Sequence, residues 1–121
     1  MDSTSPPGGD DRQGEALEQI TTGIVRLYSE YYGRGPTRAK SYMLDDAFLV
    51  TVLRASMTTV ERTLVAAGHG DKVRTMRLTF QTAMTDPFKD VVELALKRPV
   101  VSYHSQLLVT ADICFEMFVL D

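Results

Sequence analysis

The sequence predicts an α+β fold in two layers: an antiparallel, about four-stranded sheet of two hairpins, packed by three to four helices in the order α-β-β-α-α-β-β. Three observations carry this. Apolar residues recur at three- and four-residue spacing in separate stretches, as helices require. Two further regions hold short apolar runs on either side of tight polar turns, as hairpins do. Consecutive strands joined so closely pair antiparallel, with helices gathered on the sheet. A chain of 121 residues suits one domain, placed at 14–121 behind a tail at 1–13.

The tail is rich in Ser, Pro, Gly and Asp and has no large apolar side chain after Met1, so it cannot offset its own ordering entropy and reads as disordered. From Gly14 the stripe Leu17, Ile20, Ile24, Leu27 or Tyr28, and Tyr31 marks an amphipathic helix, with Glu15 and Glu18 favoured in its first turn by the helix dipole. Gly33-Arg34-Gly35-Pro36 ends it, glycine supplying a left-handed cap and proline barring continuation. Strands follow at 39–44 and 47–53, turning at Asp45-Asp46. Thr58 and Glu61 form a capping box that opens a second helix, expected to stop at Gly68-His69-Gly70. Val73, Met76, Phe80 and Met84 then give one helical face, and Phe88, Val91, Val92 and Ala95 another. Between them Asp86-Pro87 reads as an N-cap with proline at the first helical position, making either a kinked helix or two abutting ones. Arg98-Pro99 closes that region, and strands at 100–109 and 113–120 turn around Thr110-Ala111-Asp112.

Both alternating sets of the second strand are apolar, Phe48, Val50 and Val52 against Leu49 and Leu53. The last strand repeats this with Ile113, Phe115, Met117 and Val119 against Cys114, Phe118 and Leu120. A sheet apolar on both faces needs cover on both. The expected solution is a homodimer that buries the second face or its edge. The alternative sets the first helix on one face and the later helices on the other.

Charge and chemistry exclude several classes. The net charge of −3 offers no bulk attraction to nucleic acid or to an anionic membrane, and three acids against one base lie in the tail. The longest apolar runs, Ala47–Val50 among them, are far too short to span a bilayer, and the N-terminus has no basic start or apolar core of a secretory signal. The single cysteine, Cys114, fits a cytoplasmic setting and reads as a small buried hydrophobe. No spacing of Cys, His or acids marks a metal site, and no cofactor motif is present. Neighbours in a strand face opposite ways, so His104 and Ser105 cannot act as base and nucleophile. His69 reads as an exposed helix-end residue, Asp45 and Asp46 as turn formers, and Arg74 and Arg77 as a solvated helix flank. Glu116, set among apolar residues, should lie at an edge or pair with Arg54, Arg77 or Arg74.

The most distinctive local feature is the run Gly33 to Lys40. Its glycines expose backbone N–H groups and Arg34, Arg38 and Lys40 add positive charge, the ingredients of an anion nest, against the plainer reading of a glycine cap with basic neighbours. Gly33, Arg34, Gly35, Thr37, Arg38 and Lys40 are the candidate anion- or partner-binding residues. No catalytic set emerges.

The run Val25-Arg26-Leu27-Tyr28-Ser29-Glu30-Tyr31-Tyr32-Gly33-Arg34-Gly35-Pro36-Thr37-Arg38-Ala39-Lys40 resembles the opening signature of the bacterial DUF2294, or MpsC-domain, family. Val52-Leu53-Arg54, the helix from Thr58 to Leu64 with Glu61-Arg62, Arg77 with Phe80 and Met84, and the ending Glu116 to Leu120 agree in order. The resemblance implies a non-catalytic, soluble accessory or regulatory subunit of a Na+-translocating, membrane-potential-generating system linked to inorganic-carbon uptake. Its implied partners are an integral membrane subunit and a large soluble subunit, placing the chain in the cytoplasm, peripheral to the inner membrane through a partner. It carries over no catalytic residue. Docking or anion sensing at Gly33–Lys40 is the mode expected. The alternative is a small enzyme or binder acting on bicarbonate or a phosphate ester, with Arg34 and Arg38 as clamp and Glu30, Tyr31 or Tyr32 as the proton-transfer candidates.

Overall fold

The stripe Ile20, Ile24 and Tyr28 does bury one face of a helix. In the computed structural model, which describes residues 7–121 with side chains from Arg12 onward, this helix is α1 (Pro7–Tyr32). It begins earlier than Gly14, so residues 7–13, expected in the tail, are helical; the remainder of that tail lies outside the described residues. Proline suits the first helical position because its missing N–H has no partner there anyway. Then come β1 (Arg38–Leu44), β2 (Phe48–Arg54), α2 (Thr59–Ala66), α3 (Gly70–Ala83), α4 (Thr85–Leu96), β3 (Val100–Leu108) and β4 (Ile113–Leu120). The class is α+β as expected, with three helices rather than two between the hairpins.

Turn chemistry explains the hairpins. Gly33 takes φ +79° and donates its N–H to the Ser29 carbonyl at 3.1 Å, ending α1 with the left-handed cap. Asp45 and Asp46 both sit at positive φ, 53° and 51°, and the Ala47 N–H donates to the Leu44 carbonyl at 3.0 Å. Two left-handed residues match the twist of the flanking strands, and Asp tolerates that region better than most side chains.

The capping box forms as written: Glu61 N–H donates to Thr58 Oγ1 at 3.1 Å, and Thr58 N–H to Glu61 Oε1 at 2.9 Å. The stretch from 70 to 96 forms two abutting helices, and the cap is not Asp86. Met84 closes α3 through its N–H to the Phe80 carbonyl (2.9 Å), and its own carbonyl accepts from the Phe88 N–H at 3.2 Å to open α4. Pro87 therefore sits third, still within the first turn, whose N–H groups need no helical partner. Met76 is also a correction: it is 57% exposed, and Arg77, one turn after buried Val73, takes the inward place.

The sheet is antiparallel throughout, in the order β1-β2-β4-β3, so each hairpin forms one flank and the β2–β4 pairing joins them. One face carries Leu49, Leu53, Cys114, Phe118 and Leu107, all buried beneath α1, α3 and α4. The helices do not divide between the two faces. Phe48, Val50, Val52, Phe115, Met117 and Val119 line the opposite face, where no described helix covers them. The reason is geometric: the α2–α4 segment leaves β2 and returns into β3 on the side that α1 already occupies.

Close approach of α1 to α4 depends on Gly23. A Cβ there would lie 2.7 Å from Val91 Cγ1, a stiff branched side chain that cannot swing away. Overpacking costs about 1–3 kcal/mol, whereas Gly→Ala in a helix gains up to about 1 kcal/mol. Gly23→Ala should therefore destabilise the chain in urea titration, and the same change made in a Val91→Ala background should be neutral or stabilising. Equal effects in both backgrounds would show that this contact does not set the helix spacing.

Candidate functional site

The residues of the Gly33–Lys40 run divide between two places. Arg34 turns inward and donates from its guanidinium to the Met57 carbonyl, which Arg62 also contacts at 2.8 Å. A Cβ at Gly35 would lie 2.7 Å from Ser29 Oγ, a side-chain tip that would have to turn aside to admit it. Thr37 joins the sheet margin, its N–H donating to the Arg54 carbonyl at 2.9 Å. Arg38 and Lys40, alternating along β1, project onto the open face of the sheet, where Lys40 Nζ lies 5.3 Å from the Tyr42 ring centroid.

There the pair meets Arg54, a residue that adjacency in sequence does not bring into the site. Arg38 and Arg54 are direct register partners. With Lys40 they border a shallow hollow of about 500 Å³ whose apolar floor includes Tyr42, Val52, Ile113 and Phe115. None of the three cations forms a salt bridge among the described residues. The expected two-residue turn at Asp45-Asp46 would have paired Arg38 with Leu53; the turn holds three residues, Ala47 included, which shifts the register by one and sets Arg38 against Arg54.

Tyr31 and Tyr32 lie elsewhere. Their rings pack against Phe80 at 6.1 and 4.7 Å on the helical side, across the sheet from Arg38 and Lys40. His104 lies on the open face, exposed, with Nε2 3.1 Å from Ser102 Oγ. Ser105 faces inward, so the two do not meet. His69 is an exposed helix-end residue at the start of α3, with no side-chain cap bond.

Behind the sheet sits an enclosed polar cluster. Glu116 is buried and pairs with none of the expected arginines; Tyr28 Oη donates to its Oε2 and Tyr103 Oη to its Oε1. Burial raises the Glu116 carboxyl above the usual carboxylate range despite those hydrogen bonds. Burial and the neighbouring Glu116 carboxyl together push the Cys114 thiol up to about 12 and hold both tyrosines well above their ordinary value. The thiol and both phenols are thus disfavoured as anions, and the buried cluster ties α1 and β3 to the sheet centre.

Arg77, expected on a solvated flank, is 7% exposed. Its Nε and Nη2 donate to the two oxygens of Glu61, each at 2.7 Å, and Nη2 also reaches the Ser56 carbonyl at 3.3 Å. The guanidinium carbon lies 4.3 Å from the Tyr32 centroid and 5.6 Å from that of Tyr28. Burial alone would raise the Glu61 carboxyl, but Arg77 and the Thr58 N–H outweigh it and the net shift is downward. The partner shifts the other way, to a guanidinium held more firmly protonated.

Two outcomes follow for stability. Arg77→Ala leaves the Glu61 charge buried and unpaired and should cost about 3–5 kcal/mol in chemical denaturation. Glu116 has a folded pKa above its unfolded one, so the folded chain keeps a proton that the unfolded chain releases. Its contribution therefore weakens as pH rises above about 4. Glu116→Gln removes this dependence, so the stability of the wild type relative to the variant should fall between about pH 5 and about pH 7. A constant difference would show that Glu116 folds as the carboxylate.

The family model described as "Na+-translocating membrane potential-generating system (MpsC)" matches residues 12–121, nearly the whole chain. No curated protein and no solved structure matches it. On the strength of that match, which takes in α1 from Arg12, both hairpins and all three intervening helices, the chain belongs to the MpsC family.

Proposed function

We propose that the chain is a non-catalytic accessory or regulatory subunit of a Na+-translocating, membrane-potential-generating system, and that it works as a homodimer paired through its open sheet face. Family membership supports the association with such a system. No helix among the described residues is long and apolar enough to cross a membrane, so these residues form no helical ion path themselves. The observation that carries docking is the open face itself. Phe48, Phe115 and Met117 are 39%, 36% and 36% exposed on one continuous surface, where isolated apolar residues would be ordinary but a contiguous patch marks an interaction site.

A specific observation favours a second reading. Arg38, Lys40 and Arg54 converge on one hollow without acidic partners among the described residues, which suits a small anion such as bicarbonate or a phosphate ester. Thermal unfolding in the presence of each anion separates the readings, because a ligand of the folded state raises the melting temperature by linkage.

The docking reading has its own test. Light scattering after size exclusion should give twice the chain mass for the wild type and the single mass for Phe115→Asp, a change at a position with room for it. In vesicles carrying the other subunits, addition of the wild-type chain should alter the Na+-dependent membrane potential, read with a voltage-sensitive dye, and Phe115→Asp should not. A potential indifferent to the wild-type chain would remove the subunit role, and an unchanged mass in the variant would remove the face.

A further inference from the structure

Charge is distributed unevenly along the strands of the open face. Arg38 and Arg54 stand directly opposite each other across the β1–β2 ladder, with Lys40 two residues further along the same face of β1. Like charges opposed in a ladder are destabilising, and no salt bridge among the described residues relieves these. The opposite end of the same strands carries the turn acids. Asp46 is bridged by Arg98 at 3.1 Å, while Asp45 forms no salt bridge among the described residues. An apolar band of Val50, Val52, Phe115 and Met117 separates the two ends.

We infer that the occupant of the open face is a second copy of this chain, related by a two-fold axis that lies between the sheets and runs across the strands, so that the cationic end of each copy covers the acidic end of the other. The inference rests on the dimer reading above and fixes its geometry. Two face-to-face arrangements keep strands aligned. If the axis ran along the strands, Arg38, Lys40 and Arg54 of both copies would gather at one end, with sheets about 10 Å apart. With the axis across the strands, β1 lies over β1 and their directions oppose.

The register then assigns the contacts. The residues Ser41, Thr51 and Glu116 share one level in the ladders. A two-fold at that level sets Lys40 over Tyr42 of the second copy, Val52 over its Val50 and Phe115 over its Met117. It brings Arg54 over Phe48 of the second copy and Arg38 over its Leu44, beside its Asp45. The apolar band becomes self-complementary, and each cation meets an aromatic ring or an acid. Strand spacing and rise give the face a projection of about 450 Å². Side-chain relief and the turns at its rim extend this toward the roughly 800 Å² per partner of a standard interface.

A charge-exchange experiment tests the orientation. Arg38→Glu with Arg54→Glu makes one variant; Leu44→Lys with Phe48→Lys, both at exposed positions, makes the other. Circular dichroism establishes that each is folded. Alone, each should dimerise at least about tenfold more weakly than the wild type in sedimentation equilibrium, since each places like charges across the interface. Mixed in equal amounts, they should recover a dimer, because the acids introduced at positions 38 and 54 of one variant then face the bases introduced at positions 44 and 48 of the other. Recovery supports the crossed axis. A wild-type dimer with no recovery in the mixture, or with the first variant as tight as the wild type, overturns this geometry while leaving dimerisation standing. A wild-type chain that is monomeric throughout overturns the dimer reading itself, and a partner of other origin must then cover the face.

Discussion

Glu61 accepts hydrogen bonds from the Thr58 backbone N–H and from two nitrogens of Arg77, so one carboxylate both caps α2 and anchors α3. Arg77 extends the joint to the Ser56 carbonyl, just beyond β2, and to the rings of Tyr28 and Tyr32 on α1. Four segments of chain thus meet at one ion pair. Nε and Nη2 of Arg77 are matched while Nη1 is buried without a hydrogen-bond partner among the described residues, so the desolvation is offset by few bonds and the loss of either partner is costly. The position of α3 over β3, and through it the sealing of Tyr103 and Glu116, depends on this joint.

The parts of the fold that local chemistry decides were legible in the sequence. The capping box needs only Thr58 and Glu61 at their spacing, and the Asp45-Asp46 turn needs only two residues that accept positive φ. Alternating burial along β2 and β4 follows from a period of two, and the doubly apolar strands correctly announced a sheet with more apolar surface than a single layer of helices covers. What local pattern could not give was pairing at a distance. Arg77 looks like a surface residue until Glu61, sixteen positions earlier, is folded beneath it. Glu116 looks like a partner for arginine until Tyr28 and Tyr103 arrive from two other elements.

The candidate site shows the same division. Arg38 and Lys40 were visible as a basic pair, but the sequence grouped them with Arg34 by adjacency, whereas the backbone separates them by function. Arg34 turns toward the Met57 carbonyl and helps fasten the start of α2; Arg38 and Lys40 join Arg54 through the hairpin register. Neighbours in sequence became distant in role, and Arg38 and Arg54, far apart in the chain, became neighbours.

The strand order β1-β2-β4-β3 has a kinetic consequence. Each hairpin closes over a short turn and can form early, on the microsecond scale typical of such units. The central β2–β4 ladder, by contrast, joins Phe48 to Val119 and Arg54 to Ile113, and everything from α2 through β3 lies within the loop it closes. Closing that loop costs chain entropy before any of the central contacts are gained. Folding should therefore be governed by the meeting of two preformed hairpins, with the three intervening helices acting as the tether that sets how often they collide.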